Sequence, residues 1–152
     1  MALAVVALGS NLGPRAALLD AGLRRLGALP GTRVLARSRW APSPPEAAGD
    51  GGPYLNGVAL LETALPPERL HRAARRIERE LGRAPRPQDR ARPLDLDLIF
   101  LGALRRETGV LTVPHPRYRR RPFVLDPARA LAPRLCDPRC GRPLRDLELE
   151  EA

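Results

Sequence analysis

Asp95 and Asp97 stand one residue apart in Arg92-Pro93-Leu94-Asp95-Leu96-Asp97-Leu98-Ile99-Phe100-Leu101, an otherwise apolar run. Side chains of a strand alternate faces with period two, so Leu94, Leu96 and Leu98 share one face and the two carboxylates the other. Two neighbouring carboxylates repel, and burying them unpaired is costly. Mg²⁺ relieves both problems, because it prefers one or two carboxylates together with the phosphate oxygens of a substrate. An edge strand with a solvated acidic face gives the same pattern, so neighbouring residues must decide. Downstream lie Leu111-Thr112-Val113-Pro114-His115-Pro116 and Tyr118-Arg119-Arg120-Arg121-Pro122-Phe123. A histidine and an arginine cluster near paired carboxylates suit a nucleoside triphosphate whose remaining charge they neutralise. Taken singly, His115 reads as a hydrogen-bonded loop residue and the triple Arg as a solvated run.

Arg83 and Arg92 bracket an Arg/Pro-rich segment and could close on a triphosphate as clamps do. Tyr54 and Phe123 flank variable segments. They read either as core packing or as a sandwich around a flat heterocycle, with Asn56 addressing its hydrogen-bonding edge. No P-loop and no Gly-x-Gly-x-x-Gly is present, so no glycine cradle holds phosphates.

The elements that must position these groups are legible in coarse form. Residues 3 to 8 make a short apolar strand, and 9 to 13 a turn. Pro14 opens a helix over about 14 to 28, with Leu18, Leu19, Leu23 and Leu26 at helical spacing. Residues 32 to 40 read as a strand. The stretch from Ala41 through Pro53 is too rich in Pro and Gly for regular structure and is expected to be a long mobile loop, as is 83–92. Residues 54 to 63 form a strand. Pro66-Pro67-Glu68 opens a second helix whose apolar positions Leu70, Ala73, Ala74, Ile77 and Leu81 fit the i, i+3, i+4, i+7 pattern before Gly82. The Asp-x-Asp strand follows. The order β-α-β-β-α-β predicts an α+β, ferredoxin-like sandwich, one antiparallel sheet with both helices on one face. A Pro-rich C-terminal extension, about 102 to 152, should add a short hairpin and a helical turn or two.

Composition frames the rest. At 152 residues the chain is expected to be one domain, 1–152, with a real core. It has no long apolar run and no signal peptide, which predicts a cytoplasmic protein. Cys136 and Cys140 lack a second pair for zinc and read as incidental thiols or a late disulfide. The formal charge is +9, but all 26 basic residues are Arg, with only Asn11, Asn56 and Gln88 as side-chain amides. That uniform usage is a compositional bias, so the charge is weak support for a polyanion. Aromatics are too few and scattered for single-stranded nucleic acid.

The chain closely resembles the 6-hydroxymethyl-7,8-dihydropterin pyrophosphokinases of folate biosynthesis. The resemblance rests on Leu8-Gly9-Ser10-Asn11-Leu12-Gly13, Tyr54-Leu55-Asn56, Arg76-Ile77-Glu78 through Gly82-Arg83, Arg92-Pro93-Leu94-Asp95-Leu96-Asp97, Val113-Pro114-His115 and Arg121-Pro122-Phe123. It spans about residues 3 to 135, in the family's order. It implies that ATP transfers its β,γ-diphosphoryl unit to the pterin hydroxymethyl group and leaves as AMP. By the same resemblance, Asp95 and Asp97 hold two Mg²⁺ ions, and Glu78, Thr112, His115 and Arg121 bind ATP. Arg83 and Arg92 are then catalytic loop arginines, and Ser43, Pro44, Tyr54, Asn56 and Phe123 form the pterin site. The implied partners are ATP and 6-hydroxymethyl-7,8-dihydropterin, with no nucleic acid, no membrane and a monomeric state. Two other classes stay open on the residues alone. A palm-like two-metal nucleotidyl transferase requires a further acidic residue on a neighbouring strand. A basic RNA-binding domain requires exposed aromatics on the central strands.

Overall fold

The computed structural model describes residues 1–44, 52–82 and 93–151. The elements run β1 (Ala2–Ser10), α1 (Arg15–Gly27), β2 (Thr32–Arg37), β3 (Ala41–Ser43), β4 (Tyr54–Thr63), α2 (Pro67–Glu80), β5 (Asp95–Leu101), β6 (Arg106–Glu107), β7 (Thr112–Val113) and α3 (Pro122–Leu131). Short 3-10 turns at Tyr118–Arg120 and Leu144–Asp146 complete the described chain. β2, β4, β1 and β5 lie side by side in that order, all antiparallel, and β3 pairs with β4 beyond β2. β6 and β7 form a separate hairpin.

Strand alternation divides the core in two. On one face Leu8, Leu61, Leu94 and Leu96 meet Leu19 and Leu26 of α1 and Leu70 and Ile77 of α2. Each such leucine is worth about 1.5–3 kcal/mol on full burial. Gly22 lets α1 settle on Leu94, just ahead of β5: a Cβ there would stand 3.0 Å from Leu94 Cδ2. On the other face Val5, Val58, Ile99 and Phe100 pack under Val124, Leu125 and Ala128 of α3, with Tyr118, Leu144 and Leu147. Phe100 and Tyr118 meet edge to face, with centroids 4.8 Å apart.

Three expectations need correction. Residues 41–43 form a strand rather than part of a loop, because Pro42 and Ser43 pair with Leu55 and Tyr54 at the sheet's edge, where a missing proline N–H is tolerated. The strand expected over 32–40 breaks after Arg37. There Ser38 donates its N–H to Val58 O and accepts Val58 N–H on Oγ, each at 2.8 Å, and the ladder slips by one residue before β3. Trp40 instead turns to α1 and donates to Asp20 Oδ1 at 2.8 Å. The C-terminal region carries a ten-residue helix, α3, rather than a turn or two. The expected mobility of 83–92 and of most of 41–53 concerns positions outside the described residues.

The ladder between β1 and β5 also carries a bulge. Val5 faces Phe100 and Val6 faces Leu98, leaving Ile99 as the extra residue. The bulge turns Ile99 and Phe100 toward the α3 side and frees the Ile99 carbonyl for another partner.

Candidate functional site

One end of the central strands is polar, although the same face is apolar farther along. Gly9 of β1 pairs with Asn56 of β4 on one side and with Asp95 of β5 on the other. Paired residues of an antiparallel ladder project from the same face. Asn56, Gly9 and Asp95 therefore form one row, on the face opposite α1 and α2. Two positions along, Ala7 pairs with Val58 and Asp97, which puts both carboxylates on that face.

Gly9 is required by this row. A Cβ there would lie 2.9 Å from Asn56 Oδ1 and 3.3 Å from Tyr54 Cδ1. Asn56 is only 8 % exposed, and its Nδ2 donates to Ser43 Oγ across β3 and β4. Tyr54, Asn56 and Ser43 are thus brought together beside Gly9, with exposed Pro44 immediately after β3. The far end of the following segment is tied back to the end of β1: Asn11 Nδ2 donates to Gly52 O at 3.5 Å and Arg15 to Pro53 O at 2.9 Å.

β5 is an edge strand, so the outward N–H and C=O of Leu96 have no strand partner. Helix α2 supplies side chains instead. Glu78, 1 % exposed, accepts the Leu96 N–H at 2.7 Å. Arg75 donates to Leu96 O, lies 3.0 Å from the Glu78 carboxylate and reaches around the edge to within 3.7 Å of Asp97 Oδ1. Asp97 keeps 37 % of its side chain exposed, and Asp95 is half-buried. His71, one turn before Arg75, faces the same edge. Burial first, then the Arg75 guanidinium, hold its imidazole below the ordinary value of 6.5, and Asp97 offsets this in part.

The sequence reading did not single out Arg75 or His71. Their signal was the polar row His71, Arg75, Glu78 at i, i+4, i+7 on a helix otherwise ordered by its apolar positions. Glu78 itself lies beneath the Asp-x-Asp strand, so its visible work is to hold that strand.

Thr112 sits half-buried in β7, and the β6–β7 hairpin is fastened to α2 by an ion pair between Arg106 and Glu68. The chain then reaches His115, whose N–H donates at 3.0 Å to Ile99 O, the carbonyl exposed by the bulge. His115 Nδ1 accepts the Arg117 N–H at 3.1 Å. A neutral ring with an accepting Nδ1 carries its proton on Nε2. Arg121 caps α3, and its guanidinium carbon lies 6.0 Å from the centre of the Phe123 ring. Arg83 and Arg92 lie outside the described residues.

The donor set fits a hard divalent cation. Two half-buried carboxylates on one strand face offer oxygen ligands. Among the described residues no group of three His, Cys, Asp or Glu is placed to enclose a metal. An ion held by these two carboxylates would take its remaining ligands from oxygens such as water or substrate phosphate, the usual state of Mg²⁺.

Comparison with known proteins places this chain. The family model for 7,8-dihydro-6-hydroxymethylpterin-pyrophosphokinase (HPPK) matches residues 5–133. A Synechocystis 2-amino-4-hydroxy-6-hydroxymethyldihydropteridine pyrophosphokinase is 39 % identical over 145 residues, 95 % of this chain and 73 % of that protein. The protein of that name from Pseudomonas aeruginosa is 40 % identical over 142 residues, 93 % of this chain and 87 % of its own. Among solved structures, Plasmodium falciparum HPPK-DHPS wild type with pteroate superposes with a TM-score of 0.74 at 11 % identity. That likeness, one of fold, covers 96 % of this chain and 41 % of the solved one. The chain belongs to the HPPK family.

Proposed function

We propose that this site transfers the β,γ-diphosphoryl unit of ATP to the hydroxymethyl group of 6-hydroxymethyl-7,8-dihydropterin and releases AMP. The pterin oxygen attacks the β-phosphorus, the bond from that phosphorus to the α–β bridging oxygen breaks, and the hydroxyl proton leaves to solvent. The observation that carries the reading is the row Asn56, Gly9, Asp95. It sets an amide suited to a pterin edge two strands, about 9–10 Å, from a carboxylate suited to a metal. The bare Gly9 between them lets the Asn56 amide and the Tyr54 ring lie close over the backbone.

Each residue then has a role. Tyr54 and Phe123 stack on the pterin, Asn56 hydrogen-bonds its edge, and Ser43 and Pro44 border it. Asp95 and Asp97 hold two Mg²⁺ ions. When bound, these neutralise the phosphate oxygens and lower the pKa of the attacking hydroxyl. His115, through Nε2–H, and Arg121 and Thr112 take the triphosphate. Glu78 serves the nucleotide side by fixing the strand that carries both carboxylates. Arg83 and Arg92 stabilise charge on the transferring group.

The strand order β2-β4-β1-β5 supports reading the fold as ferredoxin-like with a C-terminal extension, and we take residues 1–152 as one pyrophosphokinase domain. Neither alternative gains support. A palm-like transferase lacks its third acidic group among the described residues. The sheet faces an RNA-binding domain would use are packed under α1 and α2 on one side and α3 on the other. No helix among the described residues is long and apolar enough to cross a membrane.

The test is to incubate the protein with ATP, Mg²⁺ and the reduced pterin and to identify the nucleotide product. AMP, formed only when the pterin is present and abolished by Asp95→Ala or Asp97→Ala, is expected. ADP, or AMP formed without pterin, overturns the assignment.

A further inference from the structure

The family match ends at residue 133, yet the segment that follows is bonded into the loop that carries His115. Asp137 is 3 % exposed and sits in a closed turn. Its N–H donates to Arg142 O at 3.0 Å, and its carbonyl accepts the Gly141 N–H at 2.7 Å. One carboxylate oxygen accepts the buried Tyr118 hydroxyl at 2.5 Å, and the other accepts the Arg139 N–H at 2.7 Å. Burial first, then the bond to Asp137, push the Tyr118 hydroxyl far above its ordinary range, so it remains a donor at every working pH. The backbone of Arg139 is therefore anchored from beneath by a buried tyrosine–aspartate pair.

The side chain of Arg139 then crosses to the other segment and donates to Pro114 O. That carbonyl belongs to the peptide whose N–H is His115 N, and His115 N is bonded to Ile99 O at 3.0 Å. One peptide plane is thus gripped at both ends, at its oxygen by Arg139 and at its nitrogen by the bulge of β5. Fixing that plane fixes where the His115 ring departs from the backbone, and the Arg117 N–H then sets its tautomer.

We infer that Tyr118, Asp137 and Arg139 form a positioning clasp that aims the Nε2–H of His115 at the triphosphate, with Arg139 as its working end. This rests on the reading of His115 as an ATP ligand. Arg139 is a positioning residue, since its guanidinium is spent on a backbone carbonyl.

Arg139 is an exposed residue, so Arg139→Ala leaves the buried pair of Tyr118 and Asp137 in place. ATP affinity, measured by calorimetry with Mg²⁺ and no pterin, should fall roughly tenfold, the order found when a supporting partner of a ligand is removed. Pterin affinity should change less than about twofold, and Arg139→Lys should recover part of the loss. In a His115→Ala background the same Arg139→Ala change should cost less than about twofold, because the clasp then has nothing to aim. An equal loss in both backgrounds, or an equal loss for both ligands, overturns the clasp.

A second readout needs no catalysis. The chain has two histidines, so imidazole ¹⁵N spectra contain two rings, assigned with His71→Gln. His115 should show the pure Nε2–H tautomer in the parent protein and a mixture in Arg139→Ala. An unchanged His115 spectrum in the variant overturns the proposal even if the protein makes AMP. Absence of AMP with the expected spectra would fault the pyrophosphokinase assignment instead.

Discussion

Removing the Glu78 carboxylate should loosen the strand that carries both metal ligands. In Glu78→Ala the buried Leu96 N–H loses its carboxylate acceptor at 2.7 Å. A hydrogen bond to a charged group contributes about 1.5–3 kcal/mol, and an unsatisfied buried donor costs about as much. The ion pair with Arg75 adds less than a fully buried pair would, because 29 % of the Arg75 side chain is exposed and can resolvate. The two figures describe the same loss, so with a small ion-pair share the cost is about 2–3 kcal/mol, or a Tm lower by about 4–12 °C for a chain of this size. Glu78→Gln keeps an oxygen for the Leu96 N–H and should cost about 1 kcal/mol. Urea unfolding gives the stabilities, and amide exchange at Leu96 gives the local effect. Both variants should also bind Mg²⁺ and ATP more weakly, since Arg75, released from Glu78, moves onto Asp97. If Glu78→Ala unfolds at the parent urea concentration and the Leu96 amide exchanges no faster, the carboxylate does not hold the strand and the argument fails.

Gly9→Ala should push Asn56 off its position, because the new methyl would stand 2.9 Å from Asn56 Oδ1. The expected cost is about 1–3 kcal/mol, with pterin affinity falling more than ATP affinity by calorimetry. Tyr54→Ala and Phe123→Ala should likewise weaken the pterin more than ATP, by about 0.5–1.5 kcal/mol beyond lost burial; equal losses for both ligands would count against the stacking roles. His71 has a folded-state pKa below its ordinary 6.5, so the unfolded chain binds more protons in that range. Its share of stability is therefore present above pH 6.5 and lost as pH falls through the folded value. Metal-free protein should lose stability as pH falls below 6.5, and His71→Gln should flatten that slope in urea titrations.

The elements carrying a strong local period were legible. The first two helices announced themselves by apolar residues at helical spacing, and β5 by its alternating leucines and aspartates. Ala41–Ser43 escaped because its pairing with β4 is a tertiary fact that overrides the local chemistry of Pro42. The bulge at Ile99 escaped for a related reason: register depends on the partner strand, and nothing in Leu98-Ile99-Phe100 marks the slip. Arg75 was hidden by composition, one guanidinium among 26 basic residues, until the edge of β5 gave it something to do. Asp137 and Arg139 carry no local signal, because their partners Tyr118 and Pro114 stand 19 and 25 residues away in the chain, and the neighbouring Cys136 and Cys140 are exposed and free. Arg83 and Arg92 fall outside the described residues.

The side-chain caps on Leu96 have a second consequence. A sheet edge with open N–H and C=O groups is a template on which another chain can add a strand, and proteins guard such edges with charge. At the middle of its polar end, β5 offers no such template, because Glu78 and Arg75 already occupy the donor and acceptor of Leu96. The ion pair that steadies the carboxylates thus also protects the molecule from pairing edge to edge with its own copies. Losing it would show first as concentration-dependent aggregation.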